Sequence, residues 1–138
     1  MYQLTAIMTL NGDFYTIESR LPAEDGLAYG FDVRINPEHF IFKAHFPGHP
    51  ITPGVCLMQM VAELAGEAEG CPLYVRSVKN AKYTGVVIPT DNARLRFMFT
   101  SRVGTEDGGL KIQALVTAPD SPQTLFTKFS LTLFREQI

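Results

Sequence analysis

The stretch from residue 53 to 69, "PGVCLMQMVAELAGEAE", constrains the fold more than any other part of this chain. Thr52 can cap its start, Pro53 suits a first helical position because no N–H is needed there, and Gly70 can close the end. Val55, Leu57, Met58, Met60, Val61, Ala62, Leu64 and Ala65 make this predicted helix apolar over most of its circumference. A helix of that kind has to be buried nearly all round.

Most of the remaining chain alternates with period two. In "LAYGFDVRI" the residues Leu27, Tyr29, Phe31, Val33 and Ile35 face one way, and Gly30, Asp32 and Arg34 the other. "ARLRFMFT" sets Leu95, Phe97 and Phe99 against Arg94 and Arg96. "LKIQALV" and "LFTKFSLTLF" repeat the pattern, the last through Leu125, Phe129, Leu131 and Leu133. Asn11-Gly12, between "LTAIMTL" and "DFYTIES", signals a two-residue hairpin, and "GTEDGG" and "APDSPQ" read as turns. One buried helix among long antiparallel strands predicts an α+β fold in which a curled sheet wraps the helix. A second copy of the chain is the economical cover for the sheet's open surface.

The bulk numbers narrow the class. A chain of 138 residues suits one domain spanning 1–138, and 46% hydrophobic with 19% charged residues is the balance of a soluble globular protein. A formal net charge of -2 with scattered basic residues argues against nucleic acid as a partner. Cys56 and Cys71 form no C-x-x-C pair and read as reduced thiols. The opening "MYQLTAIMTLNGDF" lacks a basic region followed by a sustained apolar core, and no apolar run is long enough for a bilayer. Together these features predict a cytoplasmic protein without a membrane span.

Periodicity does not account for "KAHFPGHPITPGV". Prolines at 47, 50 and 53 fix φ and restrict their predecessors, so the loop is stiff up to the helix. A helix start offers unpaired N–H groups, here those of Gly54 and Val55, and the positive end of the dipole. Such donors can stabilise an enolate oxygen, and a histidine beside them can act as a general base near neutral pH. Taking a proton from beside a thioester carbonyl needs both parts. A histidine before a Pro-Gly turn is often structural, and His39 and His49 are read that way. No compact metal-ligand pattern, Walker loop or dinucleotide fingerprint is present. Cys56 at the helix start invites a nucleophile reading, but its place in a buried helix favours packing.

The string "HFPGHPITPGV" followed by a helix resembles the signature of the 3-hydroxyacyl-[acyl carrier protein] dehydratases of bacterial fatty-acid synthesis. "YTGVVIPTD" at 83–91 resembles a later segment of the same family, and the strand order fits over roughly the whole chain. The resemblance implies the hot-dog fold, assembly as a homodimer or trimer of dimers, and an acyl substrate carried on the phosphopantetheine of acyl carrier protein. It implies His45 as the base and the Gly54 N–H as the donor to the thioester carbonyl. The family carboxylate, usually supplied to the site by the partner subunit, falls at Gln59. Where the family typically reads "E-x-x-A-Q", this chain reads "QMVAE", so acid and amide have exchanged places over one helical turn. Residues four apart share a helix face with Cβ atoms about 5–6 Å apart, so Glu63 can reach the cavity of Gln59.

These features predict a hot-dog dehydratase with catalytic His45, Gln59 and Glu63. Gly54 and Val55 would serve the carbonyl, and Phe46, Met58 and Met60 an apolar tunnel for the acyl chain. Elimination of water changes no oxidation state, so neither metal nor redox cofactor is expected. Arg76, Lys79, Lys82, Arg94 and Arg96 are either ordinary surface charge or a face for an acidic carrier protein. Two other readings stay open. One is a catalytically silent subunit, an acyl-thioester binder or half of a heterodimer, which the amide at position 59 favours. The other is a hot-dog thioesterase, in which a carboxylate activates water.

Overall fold

The computed structural model describes residues 9–44, 48 and 50–137. Strands β1 (Tyr15–Leu21) and β2 (Tyr29–Ile35) are followed by a short helix α1 (Phe40–Ala44) and the long helix α2 (Gly54–Glu69). Then come β3 (Leu73–Tyr83), β4 (Arg94–Gly104), β5 (Leu110–Ala118) and β6 (Ser121–Arg135). The strands form one six-stranded sheet in the order β1-β2-β4-β5-β6-β3, and every neighbouring pair is antiparallel. Register shifts in several pairs bend the sheet, as extra residues in one strand of a ladder do. The α+β architecture of a curled sheet against a long helix is the one expected from the pattern.

Alternation explains the core. Phe31 lies opposite Phe97, Phe97 opposite Val116, and Val116 opposite Thr127, so one buried row crosses four strands. A second row runs through Tyr29, Phe99, Ala114, Phe129 and Ala81. Leu57, Met60, Val61, Leu64 and Ala65 of α2 join the same hydrophobic cluster. Burying each large side chain of this kind stabilises the fold by about 1.5–3 kcal/mol, so the fit of α2 to the sheet dominates stability.

Several details differ from the sequence reading. β3 carries no clear alternation and is mostly exposed, and it is a strand because β6 pairs with it from Leu73 to Tyr83. α1 is a second, short helix after His39, where the sequence pattern predicts only the one long helix. Asp32, expected on the solvent face, is only 5% exposed. Arg96, opposite it in register, covers it and donates Nε–H and Nη2–H to its two oxygens at 2.7 and 2.9 Å. Thr52 does not cap α2. Pro53 occupies the N-cap, and among the described residues no side chain bonds there and the buried Thr52 hydroxyl has no hydrogen-bond partner. Gly70 does close the helix, in the left-handed region at φ 79°, with its N–H on the Gly66 carbonyl. The first strand expected for the Asn11-Gly12 hairpin lies mainly outside the described residues, while Gly12 itself turns at φ 98°.

Topology brings the two distinctive segments together. β2 and β3 lie on opposite sides of the sheet order, so the chain between them carries α2 across the sheet. The return from β3 to β4 then passes the start of α2, where the Thr52 N–H bonds the Val87 carbonyl at 2.8 Å.

Candidate active site

The start of α2 is built for close approach. Pro53 accepts from Cys56 and Leu57, whereas the N–H groups of Gly54 and Val55 have no partner among the described residues. The Tyr83 ring lies directly over Gly54: a Cβ there would sit 2.6 Å from its Cζ. The glycine lets the aromatic ring close over the helix start, and no positive φ requires it. Tyr83 is edge-on to Phe129, and burial raises its hydroxyl pKa. Val55, expected within the buried circumference, is instead 72% exposed.

One turn further on, Gln59 and Glu63 meet. The Gln59 Nε2 donates to Glu63 Oε2 at 2.8 Å. The same carboxylate accepts from the backbone N–H of Leu10 and of Asn11, each at 2.8 Å, and from the Tyr15 hydroxyl at 3.1 Å. Burial first, and then the neighbouring Glu63 charge, push the Tyr15 hydroxyl well above its ordinary pKa, so it stays a donor. Gln59 and Glu63 line an open cleft of about 530 Å³ that also borders Asn11, Glu67, Cys71 and Glu136. Tyr15 and the Leu10–Asn11 backbone were not legible as site components, because they stand 48 to 53 residues from Glu63.

The other expected residues fall as follows. His45 and Phe46 lie outside the described residues, as does His49. Met58 is half-buried against the core, and Met60 is fully enclosed within it. His39 is structural: its Nδ1 accepts from the Ile41 N–H at 3.1 Å, which leaves the proton on Nε2, 3.1 Å from Asp13 Oδ2. Burial pushes the Cys56 thiol up to about 11, which suits packing and not nucleophilic attack. Arg94 and Arg96 are paired with Glu18 and Asp32 respectively, which removes both from any basic face.

A protein-family model described as "ApeI-like: ApeI dehydratase" matches residues 22–108. The chain belongs to the ApeI-like dehydratase family. That match spans α1, α2 and both distinctive segments. The 3-hydroxyacyl-[acyl-carrier-protein] dehydratase FabZ of Lactococcus lactis subsp. cremoris (strain MG1363) is 32% identical over 111 residues, covering 69% of this chain and 76% of that protein. FabZ of Ligilactobacillus salivarius (strain UCC118) is 35% identical over 86 residues, which cover 57% of this chain and only 59% of that relative. In fold, the dehydratase heterocomplex ApeI:P from Xenorhabdus doucetiae matches at a TM-score of 0.63 and 16% identity over 86% of this chain and 96% of the matched chain. A member of the thioesterase superfamily matches at 0.58 and 16% identity, covering 89% of this chain and 84% of its own. The hot-dog fold is thereby shared with proteins of both chemistries. No helix among the described residues is long and apolar enough to cross a membrane.

Proposed function

We propose that the protein eliminates water from a 3-hydroxyacyl thioester carried by acyl carrier protein and yields the trans-2-enoyl thioester. The observation that carries this reading is the start of α2, where the Gly54 and Val55 N–H groups have no partner among the described residues, in a chain of a dehydratase family. In this reading His45 takes the proton from the carbon next to the thioester carbonyl. Charge moves onto the carbonyl oxygen, where the Gly54 and Val55 N–H groups receive it. The β-carbon–oxygen bond then breaks. The proton held by His45 passes to the departing hydroxyl, which leaves as water and returns the imidazole to its neutral form. Gln59, held by Glu63, meets the hydroxyl, and Phe46 and Met58 accompany the acyl chain. Atoms and charge balance without a cofactor.

The reading includes a second copy of the chain. β3 is an 11-residue edge strand that pairs only with β6 among the described residues, and long open edges favour pairing with another chain. Gln59 and Glu63 of one copy then serve the loop of its partner.

A second reading, a non-catalytic half of a heteromer, is favoured by one observation. Gln59 cannot deliver a proton as a carboxylic acid does, and Glu63 is held by four donors. The ApeI:P heterocomplex supplies a relative in fold built from unlike chains.

Adding a trans-2-enoyl thioester to the purified protein and following loss of conjugated absorbance separates these readings. Hydration by the protein alone, reduced about 10²–10⁴-fold in His45→Ala, supports the enzyme. Absence of hydration, with and without candidate partner chains, overturns it. Thiol release without hydration replaces it with hydrolysis.

A further inference from the structure

We propose that Glu63 is a positioning residue that turns the Gln59 amide NH2 group inward, so that the Gln59 carbonyl oxygen is the group offered to the substrate hydroxyl. This deepens the dehydratase reading and rests on it for the identity of that hydroxyl.

The geometry argues from acceptor capacity. An ionised carboxylate only accepts, and its two oxygens hold about four hydrogen bonds. Glu63 has four: Leu10 N–H and Gln59 Nε2 on Oε2, Asn11 N–H and the Tyr15 hydroxyl on Oε1. Its lone pairs are used within the chain. Two of those donors are backbone groups that cannot become acceptors, so the carboxylate oxygens are fixed as acceptors on that side. With an acceptor-only neighbour 2.8 Å away, Gln59 must point its NH2 group at Glu63. Its carbonyl oxygen then has no partner among the described residues.

An acceptor at that position has a use. A β-hydroxyl that donates its hydrogen to the Gln59 carbonyl keeps its lone pairs free for the proton it must receive to leave as water. The amide orients the leaving group and supplies no proton. Leu10, Asn11 and Tyr15 make the orientation rigid by holding the carboxylate from the side opposite the helix.

Glu63→Gln tests this, because an amide at 63 both donates and accepts and so permits either orientation of Gln59. The expected result is a fall in hydration rate of up to about 100-fold, as loss of orientation produces. Both limbs of the pH–rate profile stay in place. In ¹⁵N-glutamine-labelled protein, the Gln59 NH2 signals, assigned through Gln59→Glu, should shift or double in Glu63→Gln. Loss of a pH limb makes Glu63 the acid and overturns the proposal. An unchanged rate with unchanged Gln59 signals overturns it equally. A control independent of activity is the exchanged pair, Gln59→Glu with Glu63→Gln. It should melt closer to the parent than the sum of the two single changes allows, since Gln59→Glu alone sets two carboxylates against each other. Additive melting shifts refute the coupling. If the unaltered protein hydrates nothing, the dehydratase reading fails, while the amide spectra and melting cycle still decide whether Glu63 orients Gln59.

Discussion

The two ends of helix α2 are finished in opposite ways. At the C-terminal end the closing turn and the last side chain are both tied down. Gly70 and Cys71 N–H groups both reach the Gly66 carbonyl, Arg102 grips Glu69 with two bonds at 2.9 and 2.8 Å, and the Tyr29 hydroxyl adds a third at 2.8 Å. At the N-terminal end, among the described residues, no side chain caps the helix, Val55 is largely exposed, and the Thr52 hydroxyl is buried without a partner. A helix end closed by such bonds serves stability. An end left with donors to spare is the one that the proposed reaction assigns to the substrate carbonyl.

Two glycines give the sharpest form of this contrast, because a Cβ fits at neither. At Gly66 it would sit 2.8 Å from the Cys71 carbonyl oxygen, a backbone atom held in the helix-closing turn. At Gly54 it would meet the tip of the half-exposed Tyr83 side chain, which can swing away. Gly66→Ala should therefore have the largest effect on stability, about 2 kcal/mol, seen as a clear fall in Tm. Equal melting shifts for the two alanine variants would break the comparison.

Arg102→Leu comes next, at about 1 kcal/mol at neutral pH after allowance for partial exposure of the pair. Burial pushes the Glu69 carboxyl upward, but Arg102 and Tyr29 outweigh it and hold the carboxyl below its ordinary range. A depressed carboxyl stabilises the fold above the unfolded value of about 4.3, and that stabilisation is lost as pH falls through the folded value. Acid titration of Tm should therefore be flatter in Arg102→Leu than in the parent, and parallel titrations would show that the pair contributes nothing.

Gly54→Ala should cost under about 1 kcal/mol of stability while slowing hydration severalfold, since Tyr83 is displaced from the helix start. A variant that loses stability without losing rate would reassign Gly54 to packing. Smallest of all is Thr52→Val. It removes a buried hydroxyl with no partner among the described residues, so denaturant melting should show no loss, or a gain below about 1 kcal/mol. A marked loss would mean that the hydroxyl has a stabilising role after all.

Much of the fold was legible because its rules are local. Leu95, Phe97 and Phe99 alternate with arginines and are fully buried, and Gly70 ends the helix where a left-handed residue is needed. β3 escaped because an exposed edge strand needs no alternation, only a partner, and β6 lies about 50 residues downstream. Of the candidate site, the shared face of Gln59 and Glu63 could be read from helical spacing. What these two residues do could not.

The sequence alone determined which residues alternate, where the long helix begins and ends, and that amide and carboxylate stand one turn apart. Those properties follow from backbone torsions and a period of 3.6 or 2 residues. Tertiary structure decided that Glu63 is saturated by Leu10, Asn11 and Tyr15, that Asp32 is buried under Arg96, and that Tyr83 covers Gly54. A carboxylate's role depends on which donors reach it, and donors from distant residues reach it only when the sheet closes over the helix.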